Sequence, residues 1–314
     1  MKTCLISMED VSQADYTAKV LRKLNPKLRS LNTLNYTQEQ QIIISRNQVD
    51  KISIQGVQPK YSVRLNLKNE CFDLVEKYGT FIVKPQNPEW VQFPENEAFT
   101  MHMADHYGIE TPLNGLVRCS DGSLSYFIKR FDRIARNKKL HVEDFSQLAE
   151  LNRKKKYNYS VEKLMTLIET YCSFPKVEML KIFRLLLFNF VFGNEDMHLK
   201  NYSIITTKKG VIQLSPAYDL LNTTAVYRFY DKEFKDIEQS ALTINGKKNN
   251  LKSNDFKLMA ERMKLQTRLI DQAYEDLNST IAHSYKLINK SFMSDDMKKV
   301  YLEVLKKNSQ ILFS

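Results

Sequence analysis

The chain has 314 residues, 43% hydrophobic and 26% charged, a balance that excludes a disordered, collagenous or low-complexity protein. Its 47 Lys and Arg against 36 Asp and Glu leave a net charge of +11, which favours an anionic partner: nucleic acid, a nucleotide or an acidic protein surface. Four scattered cysteines (Cys4, Cys71, Cys119, Cys172) form no CxxC pair, so no zinc ribbon or disulfide framework is encoded and a reducing cytoplasm fits best.

Length divided by about 150 points to two domains or one large two-lobed unit. The N-terminal MKTCLISMEDVSQADY gains acids before any apolar run of signal-peptide length. The most apolar stretch, 182–192, is interrupted by Arg184 and Asn189 and falls short of the roughly 20 residues a bilayer needs, so no membrane association is expected. Residues 1 to about 48 are polar and weakly patterned and read as a peripheral helical or irregular lead-in.

From Lys51, KISIQGVQPKYSVRLNL alternates apolar and polar residues around a Gly, Gln and Pro interruption, the pattern of strand, turn and strand. TFIVKP is a further short strand. ENEAFTMHMADHYG, preceded by Pro94 and closed by Gly108, has helical spacing. GLVRCSDGSLSYFIKRFDR is two apolar runs joined by an Asp121-Gly122 turn, the mark of a hairpin. Beyond about residue 134 helical periodicity takes over, in HVEDFSQLAEL, SVEKLMTLIETYC, KVEMLKIFRLLLFNFVFG and the stretch from Asn254 onward. The helix over 176–192 is apolar nearly all round and belongs in the middle of its lobe. The fold expected is α+β and two-lobed, with a strand-rich lobe over 1–134 and a helical lobe over 135–314, an arrangement that can clamp a nucleotide in a cleft.

The segment GNEDMHLKNYSII places Asn194, Glu195, Asp196, His198, Lys200 and Asn201 in eight positions between a buried helix and an apolar strand. SPAYDLLNT then offers Asp219 just past another apolar run. A carboxylate beside a hydroxyl can accept its proton, and an amide oxygen with a second carboxylate supplies the hard ligands that phosphate-bound Mg²⁺ prefers. Asp196, Asn201 and Asp219 meet that requirement. Protein kinases set a metal-binding Asn five residues after the catalytic Asp and bring a second metal-binding Asp from the next strand end. The step from Asp196 to Asn201 is five, and Asp219 follows Asp196 by 23. Lys84 stands where a strand lysine would reach nucleotide phosphates, and Glu97 on the next helix could pair with it or be a solvated first-turn acid. The turn Ser53-Ile54-Gln55-Gly56-Val57-Gln58, with Lys60, would lie over those phosphates, its backbone N–H groups forming an anion cradle. Only Gly56 is present where a GxGxxG loop needs three glycines. Lys129 and Phe131 fall where a hinge strand would meet adenine.

These residues resemble the HipA-like toxin kinases of bacterial toxin–antitoxin systems. The resemblance rests on an ordered set: SIQGVQPK (53–60), FIVKP (81–85), ENEAF (95–99), FIKRFDR (127–133), HVEDFSQL (141–148), GNEDMHLKNYSI (193–204) and SPAYDLL (215–221). It is closest to the short form often called HipT, because few residues precede Ser53. It implies a cytoplasmic Ser/Thr protein kinase that uses ATP and Mg²⁺, phosphorylates a protein, with aminoacyl-tRNA synthetases as the family's targets, and so halts translation. It implies Asp196 as catalytic base, Asn201 and Asp219 as metal ligands, Lys84 on the phosphates, and Ser53 as an autophosphorylation site, whereas His198 and Lys200 in the same loop could either neutralise the transferring phosphate or serve as scaffold hydrogen-bonding groups. Short forms often carry SxS in this loop, and here the second position is Gln55. The implied partners are a DNA-binding HipB-like antitoxin and a small HipS-like companion protein.

Two other readings compete: a small-molecule phosphotransferase of the same architecture, which also uses an Asp-x4-Asn loop, and an inactive ATP-binding module in a DNA-bound complex. His102 and His106, four apart, could face one metal, but HMADH is not HExxH, and a structural pair is expected. The basic runs 136–139 and 153–156 read as solvated faces, and the neighbouring Tyr157 and Tyr159 leave direct RNA contact open.

Overall fold

The computed structural model describes residues 2–49, 58–135, 138–150, 159–231 and 238–314. Two compact units divide the chain. The first takes Met1–His102, Pro112–Lys138 and Leu287–Met293, and the second Met103–Thr111, Lys139–Lys286 and Ser294–Ser314.

The first unit opens with β1 (Lys2–Thr3) and β2 (Asp10–Val11), an antiparallel pair, followed by α1 (Ala18–Leu24) and α2 (Gln38–Val49). This lead-in is not peripheral. Leu5, Val20, Leu21, Leu24, Leu28, Leu31 and Leu34 are all buried. The Leu116 N–H donates to the Leu5 carbonyl at 2.9 Å, and the Tyr16 hydroxyl to the Leu116 carbonyl at 3.0 Å. The apolar residues here follow no single period, which is why their burial does not show in the pattern. Helix α2 is fastened by a polar group instead. The buried Gln41 donates Nε2 to Cys119 Sγ at 3.0 Å and accepts at Oε1 from Tyr61 and Ser125, at 2.9 and 2.8 Å.

Next come β3 (Tyr61–Asn66), β4 (Cys71–Leu74), β5 (Phe81–Lys84), α3 (Phe93–His106), β6 (Asn114–Arg118) and β7 (Leu124–Lys129). The strands form an antiparallel sheet in the order β4-β3-β5-β7-β6. The expected β6–β7 hairpin turns at Gly122, whose φ of 82° favours glycine. β4 has no counterpart in the sequence reading. Phe72, Phe81 and Phe127 pack on one another across the sheet, with ring centroids 5.0 to 6.1 Å apart. Strand β5 lies between β3 and β7, and its last residue, Lys84, pairs with Tyr126. Short strands β8 (Arg133–Ala135) and β9 (Lys138–Lys139) follow.

In the second unit, β10 (Val142–Asp144) runs into α4 (Phe145–Leu148). The VED part of the expected helix is therefore a strand. It pairs with β11 (Ser203–Thr206), which pairs with β12 (Ile212–Leu214), so a ladder partner overrides the local helical spacing. Asp144 caps α4 in a reciprocal box with Gln147. α5 (Val161–Tyr171) starts at a Ser160 cap. α6 (Pro175–Val191) begins with Pro at its first position and buries Ile182, Phe183, Leu186, Leu187, Phe188 and Phe190, as its composition predicts. α7 (Thr223–Tyr230), α8 (Ser253–Arg262), α9 (Thr267–Leu287) and α10 (Asp295–Leu312) complete the chain. No helix of the described residues is long and apolar enough to cross a membrane.

Candidate active site

The second unit holds the densest group of expected site residues. Helix α6 ends at Val191 with Phe192 as its C-cap, and Gly193 turns the chain with φ of 66°. A side chain at Gly193 would lie 2.5 Å from Asn222 Oδ1 and 2.7 Å from Val304 Cγ1, so only glycine fits. The segment that follows is latched to the one carrying Asp219. The Thr224 N–H and the Thr223 hydroxyl both donate to the Gly193 carbonyl, at 3.0 and 3.2 Å. The Glu195 N–H donates to Thr223 Oγ1 at 3.0 Å, and Asn194 Nδ2 to the Asp219 carbonyl at 3.4 Å. Asn222 meanwhile caps α7 through the Ala225 N–H, at 2.8 Å.

Within the loop, the His198 N–H donates to the Asp196 carbonyl at 2.8 Å, and Asn201 Nδ2 donates to the same carbonyl at 2.9 Å. The bond at Nδ2 fixes the Asn201 amide, leaving Oδ1 as the oxygen that can meet a ligand. Asp219 sits in the left-handed region, φ 57°, a conformation Asp and Asn tolerate better than most residues. Its predecessor is pinned: the Tyr218 hydroxyl donates to the Lys200 carbonyl at 3.0 Å and lies 2.6 Å from Ser203 Oγ. His198 is buried, and Lys200 is half-buried. Glu195, absent from the expected site, is a half-buried carboxylic acid whose pKa burial pushes up to about 8, with Asp196 and Glu238 adding to the rise and Arg228 opposing it. The signal for it in the sequence is its place directly before Asp196 in a loop that follows a buried helix.

An amide oxygen and one carboxylate are a sparse donor set for an all-protein metal cage. Among the described residues no group of three His, Cys, Asp or Glu side chains gathers around one point. The set suits Mg²⁺, which takes one or two carboxylates and completes its shell with phosphate oxygens and water.

In the first unit, Lys84 Nζ lies 2.6 Å from Glu97 Oε1, with side-chain exposures of 4% and 0%. The ammonium also sits 5.5 Å above the centre of the Tyr126 ring. The pairing of Lys84 with the helix glutamate is thus present in the structure. At the strand end, the Lys129 N–H donates to the Leu113 carbonyl at 2.8 Å and the Arg130 N–H to Thr80 at 2.9 Å. Arg130 grips Asp132 with two bonds of 3.0 and 2.8 Å just past Phe131. Gln58 and Lys60 are half-buried. Ser53, Ile54, Gln55, Gly56 and Val57 lie outside the described residues, as do 136–137 and 151–158, which hold most of the two basic runs and Tyr157. His106 stacks on His283 of α9, centroids 4.1 Å apart and planes 14° apart, a geometry that does not place two nitrogens on one metal.

A family model described as the HipA-like C-terminal domain matches residues 52–285. The chain is 28% identical over 241 residues to a Haemophilus influenzae protein named "Putative kinase", covering 71% of this chain and 69% of that protein. It is also 28% identical over 192 residues to the serine/threonine-protein kinase toxin HipA of Shewanella oneidensis, covering 55% of this chain but only 43% of the toxin. Among solved structures it is similar to that of Shewanella oneidensis MR-1 HipA with HipB and operator DNA. The TM-score is 0.64 at 21% identity, over 84% of this chain and 67% of that one, a likeness of fold.

Proposed function

This chain belongs to the HipA-like family, and on that premise we propose that it is an ATP-dependent Ser/Thr protein kinase toxin. The observation that carries the reading is the latched pair of segments in the second unit. Gly193, Asn194 and Glu195 are tied to Asp219 and Thr223, while Asn201 is turned onto the Asp196 carbonyl.

In this reading the Asp196 carboxylate accepts the proton of the acceptor hydroxyl as its oxygen bonds to the γ-phosphorus of ATP and the bond from that phosphorus to the bridging oxygen breaks, releasing ADP. Asn201 Oδ1 and the Asp219 carboxylate would hold Mg²⁺, which when bound neutralises charge on the phosphates. The tie between the segments holds the backbone that carries these side chains, which limits how far they must move on reaction. Lys84, oriented by Glu97, is assigned to the phosphates, as are His198 and Lys200. Gln58, Lys60 and the 53–57 loop are assigned to the nucleotide as well. Lys129 and Phe131 are assigned to adenine. With the Lys129 N–H already engaged by Leu113, Lys129 would contribute its carbonyl. Ser53 is the proposed autophosphorylation site, where an added dianion would oppose the triphosphate. The proposed target is a protein of the translation apparatus, an aminoacyl-tRNA synthetase in the family's pattern, and the proposed partner a HipB-like antitoxin, as in the Shewanella oneidensis complex.

The test is to incubate the full chain with γ-labelled ATP, Mg²⁺ and a bacterial lysate, then map phosphosites by mass spectrometry. The reading predicts Ser or Thr phosphosites on few proteins, with Ser53 modified on the chain itself. Transfer to an aminoglycoside or sugar, with no protein labelled, would support the small-molecule phosphotransferase instead.

A further inference from the structure

Within the first unit, a cavity of about 360 Å³ opens beside the first turn of α3. Gln38, Gln86, Asn87, Glu95 and Arg118 supply its polar wall, and Val91 and Leu124 an apolar one. Glu95 is the unusual member. It is 7% exposed, and its two carboxylate oxygens both accept from a single donor, Gln86 Nε2, at 2.8 and 2.9 Å.

Gln86 is held in that pose from both ends. Nε2 also reaches the Leu124 carbonyl at 3.2 Å, and Oε1 accepts the Gln92 N–H at 3.0 Å. Arg118, on the same cavity, is turned to Asp15 at 2.9 Å. Among the described residues no cation lies within ion-pair distance of Glu95. A buried carboxylate without a countercharge is costly, and a glutamine of the same shape would avoid the cost. Burial raises the pKa of Glu95 to about 7, and only hydrogen bonds from amides oppose the rise.

We propose that this cavity is a binding site for an alkylammonium group, whose head docks on Glu95 and whose stem lies along Leu124 and Val91. A carboxylate with open lone pairs accepts from an N–H₃⁺ head, which carries the missing charge and three donors on a compact point. The apolar wall matches a short methylene chain, and Asn87 Nδ2 and Gln38 remain for a polar far end. Because Glu95 precedes Glu97 by two residues on α3, an occupant would brace the turn that carries the partner of Lys84. The chemistry has two sources, a free diamine or the lysine side chain of a peptide.

Calorimetric titration of the full chain with putrescine and with Nα-acetyl-lysine methylamide tests the site without relying on phosphoryl transfer. Nα-acetyl-norleucine methylamide serves as the uncharged control. Saturable binding by either amine, at least tenfold weaker for norleucine and for Glu95→Gln, is the expected result, and the tighter amine identifies the source. Glu95→Gln removes a buried charge, so its melting temperature at pH 8 should equal or exceed wild type, which separates lost binding from lost fold. If neither amine binds, or Glu95→Gln binds them unchanged, the proposal is overturned. Amine binding by a chain that transfers no phosphate would sustain the site and overturn the kinase reading alone.

Discussion

Lys84 Nζ and Glu97 Oε1 lie 2.6 Å apart with almost no solvent contact, a strand-end cation held by the first turns of a helix. Removing one partner strands a buried charge, at about 3–5 kcal/mol, whereas replacing both with apolar residues is often neutral or better. Glu97→Ala should therefore lower the urea midpoint strongly, and Lys84→Met/Glu97→Leu should restore it. If the pair serves phosphate binding, the double variant is stable yet inactive. A double variant with wild-type transfer would reduce the pair to a structural element.

Gly193 and Gly122 share a left-handed backbone but differ in surroundings. Alanine at Gly193 meets Asn222 and Val304, and alanine at Gly122 meets nothing within 4 Å. Gly122→Ala should cost about 1–2 kcal/mol, the backbone term alone. Gly193→Ala should cost clearly more and also depress transfer, because it pushes on the latch to Thr223. Chemical denaturation of the two variants, with transfer assayed in parallel, checks both statements.

Glu195 carries a pH signature. Its folded pKa of about 8 exceeds the ordinary 4.5, so the folded state keeps a proton that the unfolded state gives up between those values. The stability this contributes is full below about pH 4.5 and is lost as pH rises through about 8. Glu195→Gln should leave stability unchanged near pH 4.5 and raise it relative to wild type at pH 8. Denaturation midpoints across that range decide it, and parallel curves for the two proteins would contradict the burial argument.

Asp219 combines a left-handed backbone with a proposed metal-binding role, and the two separate under substitution. Asparagine tolerates φ near 57° and keeps the shape but drops the charge. Asp219→Asn should melt within a degree or two of wild type while losing Mg²⁺-dependent ATP affinity. Equilibrium binding of ATP with and without Mg²⁺ provides the check.

Long periodic segments and punctuated turns were legible in the residues. α6 is buried as its unbroken apolar composition requires, and the β6–β7 hairpin turns at Asp121-Gly122. The spacing of Asp196, Asn201 and Asp219 marked a loop pair that the structure ties together by hydrogen bonds. What stayed hidden depends on partners distant in the chain. Val142 and Glu143 look helical until β11 offers them a ladder. The first 49 residues look peripheral until Leu5, Tyr16 and Gln41 find partners on the sheet more than 70 positions away. Nothing in their residue type sets Glu195 and Glu95 apart from the acids around them, and only their burial does so.

Asp196 is the proposed proton acceptor of the transfer reaction. Asp196→Asn is close to isosteric and leaves its backbone carbonyl free to hold Asn201 and the His198 N–H, so the fold should survive with an unchanged melting temperature. Phosphoryl transfer from labelled ATP to protein should fall by about 10²–10⁴-fold, the contribution of a positioned general base. A folded Asp196→Asn protein that transfers phosphate at the wild-type rate would contradict the assignment.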